Sequence, residues 1–243
     1  MLGRCISAEW MKLRYSHIWA ILVALPVISV LIGCANFYMN QGVLTKEWYS
    51  LWSQVGLFYG ELFLPILIAI CCAYIWRLEH LNKNWNMILA APVPAAGIFL
   101  AKWIVVGVLL ILVQAFFVLL YFIGGKTLGL DAGLPQELPG WLLRGWTAGL
   151  TISSVQLALS MRIRSFAVPV GMGLCAIFIG LGMYVARLGL FFPHSLLTVG
   201  MGVLSQTGLS CGENPVFWLM NILYIGVINT GAIWRMRKHD RVA

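Results

Sequence analysis

Charge is the scarcest property of this sequence. Only 10% of its 243 residues are charged, against about 25% in a soluble domain, too few to cover a water-facing surface. Acidic groups are rarer still: there are eight, and only Asp131 and Asp240 are aspartates. Both lie in connecting or terminal segments, which excludes an intramembrane aspartate pair. No HExxH zinc-protease pattern occurs. His194 and Ser195 are neighbours in one loop, where two helices cannot present them as base and nucleophile. The six cysteines, Cys5, Cys34, Cys71, Cys72, Cys175 and Cys211, show no C-x2-C spacing and read as small apolar packers, not metal ligands. Gly125-Lys126-Thr127 has the tail of a phosphate-binding loop, but position 120, where that pattern needs glycine, is Leu120. No catalytic residue, metal or cofactor is therefore expected in this chain.

What the sequence has in excess is apolar length. Hydrophobic residues make up 61% of it, and mean hydropathy is +0.89. A helix needs about 20 mostly apolar residues to cross about 30 Å of hydrocarbon. Six such stretches occur, at 18–38, 54–76, 98–122, 141–160, 166–185 and 216–234. The fourth is broken by Arg144, Thr147, Thr151, Ser153, Ser154 and Gln156, a composition suited to packing against other helices. Connecting loops are short, so a single bundle over 1–243 is expected. Leu31-Ile32-Gly33-Cys34 resembles a lipobox, but the run containing it is long enough to span and reads as a retained helix.

The net charge of +8 is a topology signal. Arg4, Lys12, Arg14, Arg77, Lys83, Lys102, Arg162, Arg164, Arg235, Arg237, Lys238 and Arg241 fall on one side of the expected bundle. Only Lys46, Lys126, Arg144 and Arg187 fall on the other. The positive-inside rule then places both termini in the cytoplasm, as an even number of spans requires. Anionic lipid headgroups, not nucleic acid, are the partners this implies.

Two cytoplasmic segments are amphipathic. In 1–16, Leu2, Ile6, Trp10 and Leu13 form an apolar stripe, with Arg4, Glu9, Lys12 and Arg14 off it, as in a helix lying in the interface. In 77–96, Leu78, Leu81, Trp85, Ile88 and Leu89 share one helical face. Arg77, Glu79, His80, Asn82, Lys83, Asn84 and Asn86 make the rest polar, and Pro92 and Pro94 stop the helix. On the outer side, 186–215 is too apolar for a solvated loop and reads as a helical hairpin dipping into the outer leaflet.

Polar groups within the spans are few. Glu61 is the one acidic residue inside a predicted span, and charges there usually face a cavity or a partner. Two readings stand: a contact for a cationic ligand arriving from outside, or a protonated or hydrogen-bonded structural group. Gln114, Gln156, Asn221 and Asn229 read first as bonds between helices, with Gln114 and Gln156 also taken as candidate substrate contacts. Gly145 and Gly149 match the GxxxG pattern of close helix contact.

The order of these parts resembles the permease subunits of type-two ABC exporters, in particular those of lantibiotic-immunity transporters. The resemblance is carried by Glu9-Trp10-Met11-Lys12-Leu13-Arg14 before the first span, by Glu79 to Trp85 followed by Leu89-Ala90-Ala91-Pro92-Val93-Pro94, and by Lys102 opening the third span. It implies an all-α integral membrane fold: a six-transmembrane-helix bundle with an N-terminal interfacial helix, a cytoplasmic coupling helix and an apolar outer loop before the last span. It further implies that Glu79, Asn82, Lys83, Asn84, Trp85 and Pro92 engage a separate ATP-binding subunit, which supplies ATP and Mg. A second permease, similar or identical, would complete the complex in a bacterial cell membrane, with a lantibiotic or other cationic peptide antibiotic as substrate. The residues alone leave three rivals: an ion-coupled transporter, an intramembrane enzyme, and a membrane sensor without an ATPase.

Overall fold

The computed structural model describes residues 1–81, 93–131, 133–205 and 208–240, with side chains to 238. Helix α1 is Leu2–Arg14 and α2 is Ile18–Met39. Helix α3, Glu47–Gly56, passes through a π-helical stretch, Leu57–Phe63, into α4, Leu64–His80. Then come α5, Ala95–Thr127, α6, Leu138–Arg162, and α7, Ala167–Val185. A 3-10 turn, Gly189–Phe191, leads to the short α8, Pro193–Gly200, and α9, Glu213–Asp240, closes the chain. No strand occurs among the described residues. Proline marks several starts: Pro94 caps α5, and α4, α6 and α8 carry proline in the first two positions. At α5, α6 and α8, which start after loops, the missing amide costs nothing, because the first turn has no intrahelical acceptor for it. Pro65 follows the π-helical stretch, where the regular ladder is already interrupted.

Five helical segments are long and apolar enough to cross a membrane: Ile18–Met39, Glu47–His80, Ala95–Thr127, Ala167–Val185 and Glu213–Lys238. They match five of the six expected stretches. Ala167–Val185 is one residue shorter than expected and the other four are longer, most of all at 54–76, which α3 lengthens into the region read as an outer loop. The expected span at 141–160 forms a helix, α6, but is not among the five. Its polar residues explain the difference: Arg144, Gln156 and the hydroxyls lower its hydropathy, while Thr151, Ser153, Ser154 and Gln156 are buried in the bundle. Helix α6 packs against α4, α5, α8 and α9. Ser153 and Ser154 donate to the carbonyls of Gly149 and Leu150 one turn back, at 2.7 and 3.0 Å. Thr151 donates to Asn221 Oδ1 on α9 at 2.6 Å, a helix-to-helix bond of the kind expected of Asn221. A Cβ added at Gly145 would meet Met201 Cγ at 2.8 Å, so the GxxxG glycines serve contacts inside this chain.

The apolar 186–215 segment is not a two-helix hairpin. Apart from 213–215, where α9 begins, only α8 is α-helical among its described residues, and α8 is almost wholly enclosed. Leu196 and Leu197 are fully buried, and His194, Ser195 and Thr198 are buried with them. The segment is apolar because part of it is core.

Candidate functional site

At the end of the bundle that carries the N-terminus, four charged side chains meet. Lys102, in the first turns of α5, has no exposed surface, and its Nζ donates to Glu9 Oε2 at 2.8 Å and Glu79 Oε1 at 2.6 Å. Lys12 Nζ donates to the same carboxylates, Glu9 Oε1 at 2.8 Å and Glu79 Oε1 at 2.6 Å. The Lys102 ammonium also lies 5.0 Å from the Trp76 ring centroid, a cation–π contact that strengthens when water is excluded. Two lysines and two glutamates leave no net charge, and each carboxylate bridges two ammonium groups. Burial works against the charge on Lys12, but the hydrogen bonds to Glu79 and Glu9 outweigh it and hold its ammonium above the ordinary 10.5. Its share of the cluster is therefore present through neutral pH and lost only as pH rises past that raised value.

The cluster corrects two expectations. Glu9 is not off the packing face of α1; it is buried beside Leu13, while Leu2 of the apolar stripe is exposed. Glu79 is not on a wet face, because it is 2% exposed. The reason is the same for both: Lys102 brings a cation into the bundle, and the carboxylates follow it inward. Glu79 closes α4, and Lys102 lies early in α5. The cluster therefore ties α1 to both stems of the segment 82–92. Asn82, Lys83, Asn84, Trp85 and Pro92 lie outside the described residues.

The opposite end is built on α8. Glu61 sits within the π-helical stretch and accepts a hydrogen bond from Thr198 Oγ1. Trp52 Nε1 donates to the Met201 carbonyl at 3.1 Å, and Arg144 Nε to the Gly200 carbonyl at 3.1 Å, so the C-terminal end of α8 carries a cation as its dipole favours. Trp52 stacks on Trp141 with centroids 5.1 Å apart, and Tyr59 on Phe117 at 3.6 Å. Neither ring nitrogen of His194 has a partner among the described residues. Burial pushes its imidazole down to about 4, so it is neutral at physiological pH.

The three candidate substrate contacts are not gathered in one place. Gln114 and the stretch that carries Glu61 both border Met201. A Cβ at Gly60 would meet Met201 Sδ at 3.0 Å, and one at Gly145 would lie 3.2 Å from that sulfur and 3.1 Å from Gln114 Nε2. Gln114 also donates to the Leu142 carbonyl at 3.3 Å, as expected of a bond between helices. Gln156 is apart, on the face of α6 that meets Gly173 and Ala69. Ala69 is about two turns along α4 from Glu61, on the order of 12 Å. Thr198 was missed, since nothing in a loop sequence pairs it with a glutamate more than a hundred residues away. Lys102 and Glu9 were visible as charges beside apolar runs, but not as partners of each other.

These features now have a family. The profile of the family described as "ABC-2 family transporter protein" matches residues 5–180, well over half of the chain. The chain belongs to that family. It is a membrane-embedded permease subunit of an ABC transporter, and the family implies an ATP-binding partner. The matched region runs from just before Glu9 into α7 and so includes all four charges of the cluster. Comparison with curated proteins gave no match.

Proposed function

We propose that this permease works in an ABC exporter containing two ATP-binding subunits and a second permease, similar or identical. In this reading the chain crosses a bacterial cell membrane six times, α6 included, with both termini in the cytoplasm. The end bearing the four-charge cluster then faces the cytoplasm, and α8 lies toward the outside. Residues 82–92, with Asn82, Lys83, Asn84, Trp85 and Pro92, form the coupling element seated on the ATPase. Closure of the ATPases on ATP moves that element, and the permease carries its movement to the outer opening. The substrate is a lantibiotic or other cationic peptide antibiotic taken from the membrane and expelled, with Glu61, Gln114 and Gln156 as candidate contacts.

The observation that carries this reading is the ion-pair cluster of Glu9, Lys12, Glu79 and Lys102. A loop that only linked two spans would not need both stems locked to each other and to an interfacial helix. Buried ion pairs rarely add net stability, since desolvating the charges offsets much of their attraction. They do hold a geometry, and here the geometry is that of two stems moving as one body with α1. The test is affinity capture of the tagged protein from its native membrane. An ATP-binding subunit and a second permease should be recovered with the wild type. Trp85→Ala should insert normally yet lose the ATPase, and Glu79→Gln should keep it while ATP-driven peptide export falls at least tenfold. Recovery of no ATPase with the wild type would return the choice to an ion-coupled transporter or a sensor.

A further inference from the structure

Helix α7 ends in a Schellman turn. The Leu188 amide donates to the Met183 carbonyl at 2.8 Å, and the Arg187 amide donates to the Tyr184 carbonyl at 3.0 Å. The residue that follows the cap of such a turn takes a left-handed backbone, which is why glycine is usual there. In this chain it is Arg187, with φ at 62°. The helix dipole favours a cation near a C-terminus, but any position in the last turn would serve that without backbone strain. Strain of this kind gathers at ligand sites.

Arg187 lines a cleft of about 520 Å³, within the size range of small-ligand sites. Its guanidinium has no carboxylate partner among the described residues. Tyr184, one turn back, lines the same cleft. So does Glu213, which opens α9. The Ser210 amide and hydroxyl both donate to Glu213 Oε2, at 3.0 and 2.7 Å, and leave Oε1 without a donor among the described residues. Two opposite charges therefore border one cavity without closing on each other, an arrangement that suits a ligand carrying both signs. Leu190 and Val199 make the rest of the wall apolar. Val185 lines it as well, and with Phe178 and Leu181 it forms an exposed apolar face of α7 at i, i+3 and i+7. In a membrane-embedded chain such a face meets acyl chains, so the cleft is continuous with hydrocarbon.

We propose that this cleft is a headgroup site for a phospholipid bearing both a phosphate and a primary ammonium, of the phosphatidylethanolamine type. The phosphate sits on Arg187 with the Tyr184 hydroxyl as a second donor, and the ammonium donates to Glu213 Oε1. The acyl chains leave along the Val185 face of α7. The site goes beyond the export reading and rests on it only for the leaflet, which is the outer one. Headgroup chemistry sets the selectivity. A trimethylammonium has no N–H to give Glu213, and a glycerol headgroup has no cation at all, whereas a primary ammonium makes a charge-assisted bond.

The test needs neither ATPase nor transport, so its failure is separable from failure of the export reading. Full-length protein in dodecyl maltoside is titrated with phosphatidylethanolamine labelled by nitrobenzoxadiazole on one acyl chain, and binding is read by fluorescence anisotropy. Phosphatidylcholine with the same labelled chain is the control. Wild type should bind the ethanolamine lipid roughly fivefold or more tightly than the choline lipid. Glu213→Gln should remove that difference while α9 keeps its start, because glutamine also closes a capping box with Ser210. Arg187→Gly relieves the left-handed backbone, so it should melt no lower than wild type yet bind both lipids roughly fivefold or more weakly. Equal binding of the two lipids to the wild type would overturn the proposal without recourse to any variant. Undiminished binding by Arg187→Gly would overturn it too. Displacement of the label by water-soluble glycerophosphoethanolamine as readily as by unlabelled lipid would overturn the lipid as occupant, since the headgroup alone would then suffice.

Discussion

Lys102 has no water to fall back on: it is fully buried, and its ammonium depends on Glu9, Glu79 and the Trp76 ring. Lys12 touches the same carboxylates with a side chain 36% exposed, so solvent screens its share. The two lysines are therefore unequal partners. Lys102→Met should leave two buried carboxylates to one half-exposed lysine, at a cost on the order of 3–5 kcal/mol, read as a fall in the unfolding midpoint in detergent. Lys12→Met should cost about 1 kcal/mol or less, as for a partly solvated pair. Adding Glu79→Gln to Lys102→Met should restore part of the loss, with a coupling of about 1–3 kcal/mol. Strictly additive effects would mean that the two groups do not depend on each other.

Between helices, contact distance decides what each position tolerates. A Cβ built at Gly33 of α2 would lie 2.5 Å from the Val55 Cα of α3. Backbone cannot yield there as the tip of a side chain can, so the absence of a side chain is what lets α2 and α3 touch. Gly33→Ala should cost about 1–3 kcal/mol through forced separation, whereas Gly171→Ala on α7, with nothing within 4 Å, should leave the melting temperature unchanged. Equal melting of the two variants would show that the α2–α3 approach is not tight in solution. The same reasoning applies to α8, a helix of eight residues and too short to hold its own shape in water. Burial among α6, α7 and the π-helical stretch supplies what its hydrogen bonds cannot.

For the whole molecule, the question is orientation. Twelve of the 16 basic residues fall on the side carrying both termini if α6 spans; if it does not, the termini are on opposite faces. The two arrangements differ in which ends a membrane-impermeant maleimide reaches. In a background lacking reactive cysteines, Asp131→Cys should label in intact cells. Gly3→Cys and Lys238→Cys should label only after permeabilisation. Labelling of Gly3→Cys and Lys238→Cys on opposite sides would remove α6 from the spans and reverse the cytoplasmic assignment of one terminus.

The sequence by itself determined that the chain is helical and membrane-embedded, because those properties follow from composition and run length. Apolar stretches of about 20 residues are self-sufficient: each satisfies its own backbone, and each is readable without knowing its neighbours. Placement of Glu9, Glu79, Lys102, Glu61 and Thr198 is of another kind. Each is one polar residue beside an apolar run, and its meaning lies in which other residue meets it across the bundle, 137 positions away for Glu61 and Thr198. Hydropathy and periodicity carry no record of that pairing. Only the packed helices decided that Glu79 turns inward to a buried lysine, that an apolar loop is partly core, and that the carboxylate of Glu61 is held by threonine rather than by a cation.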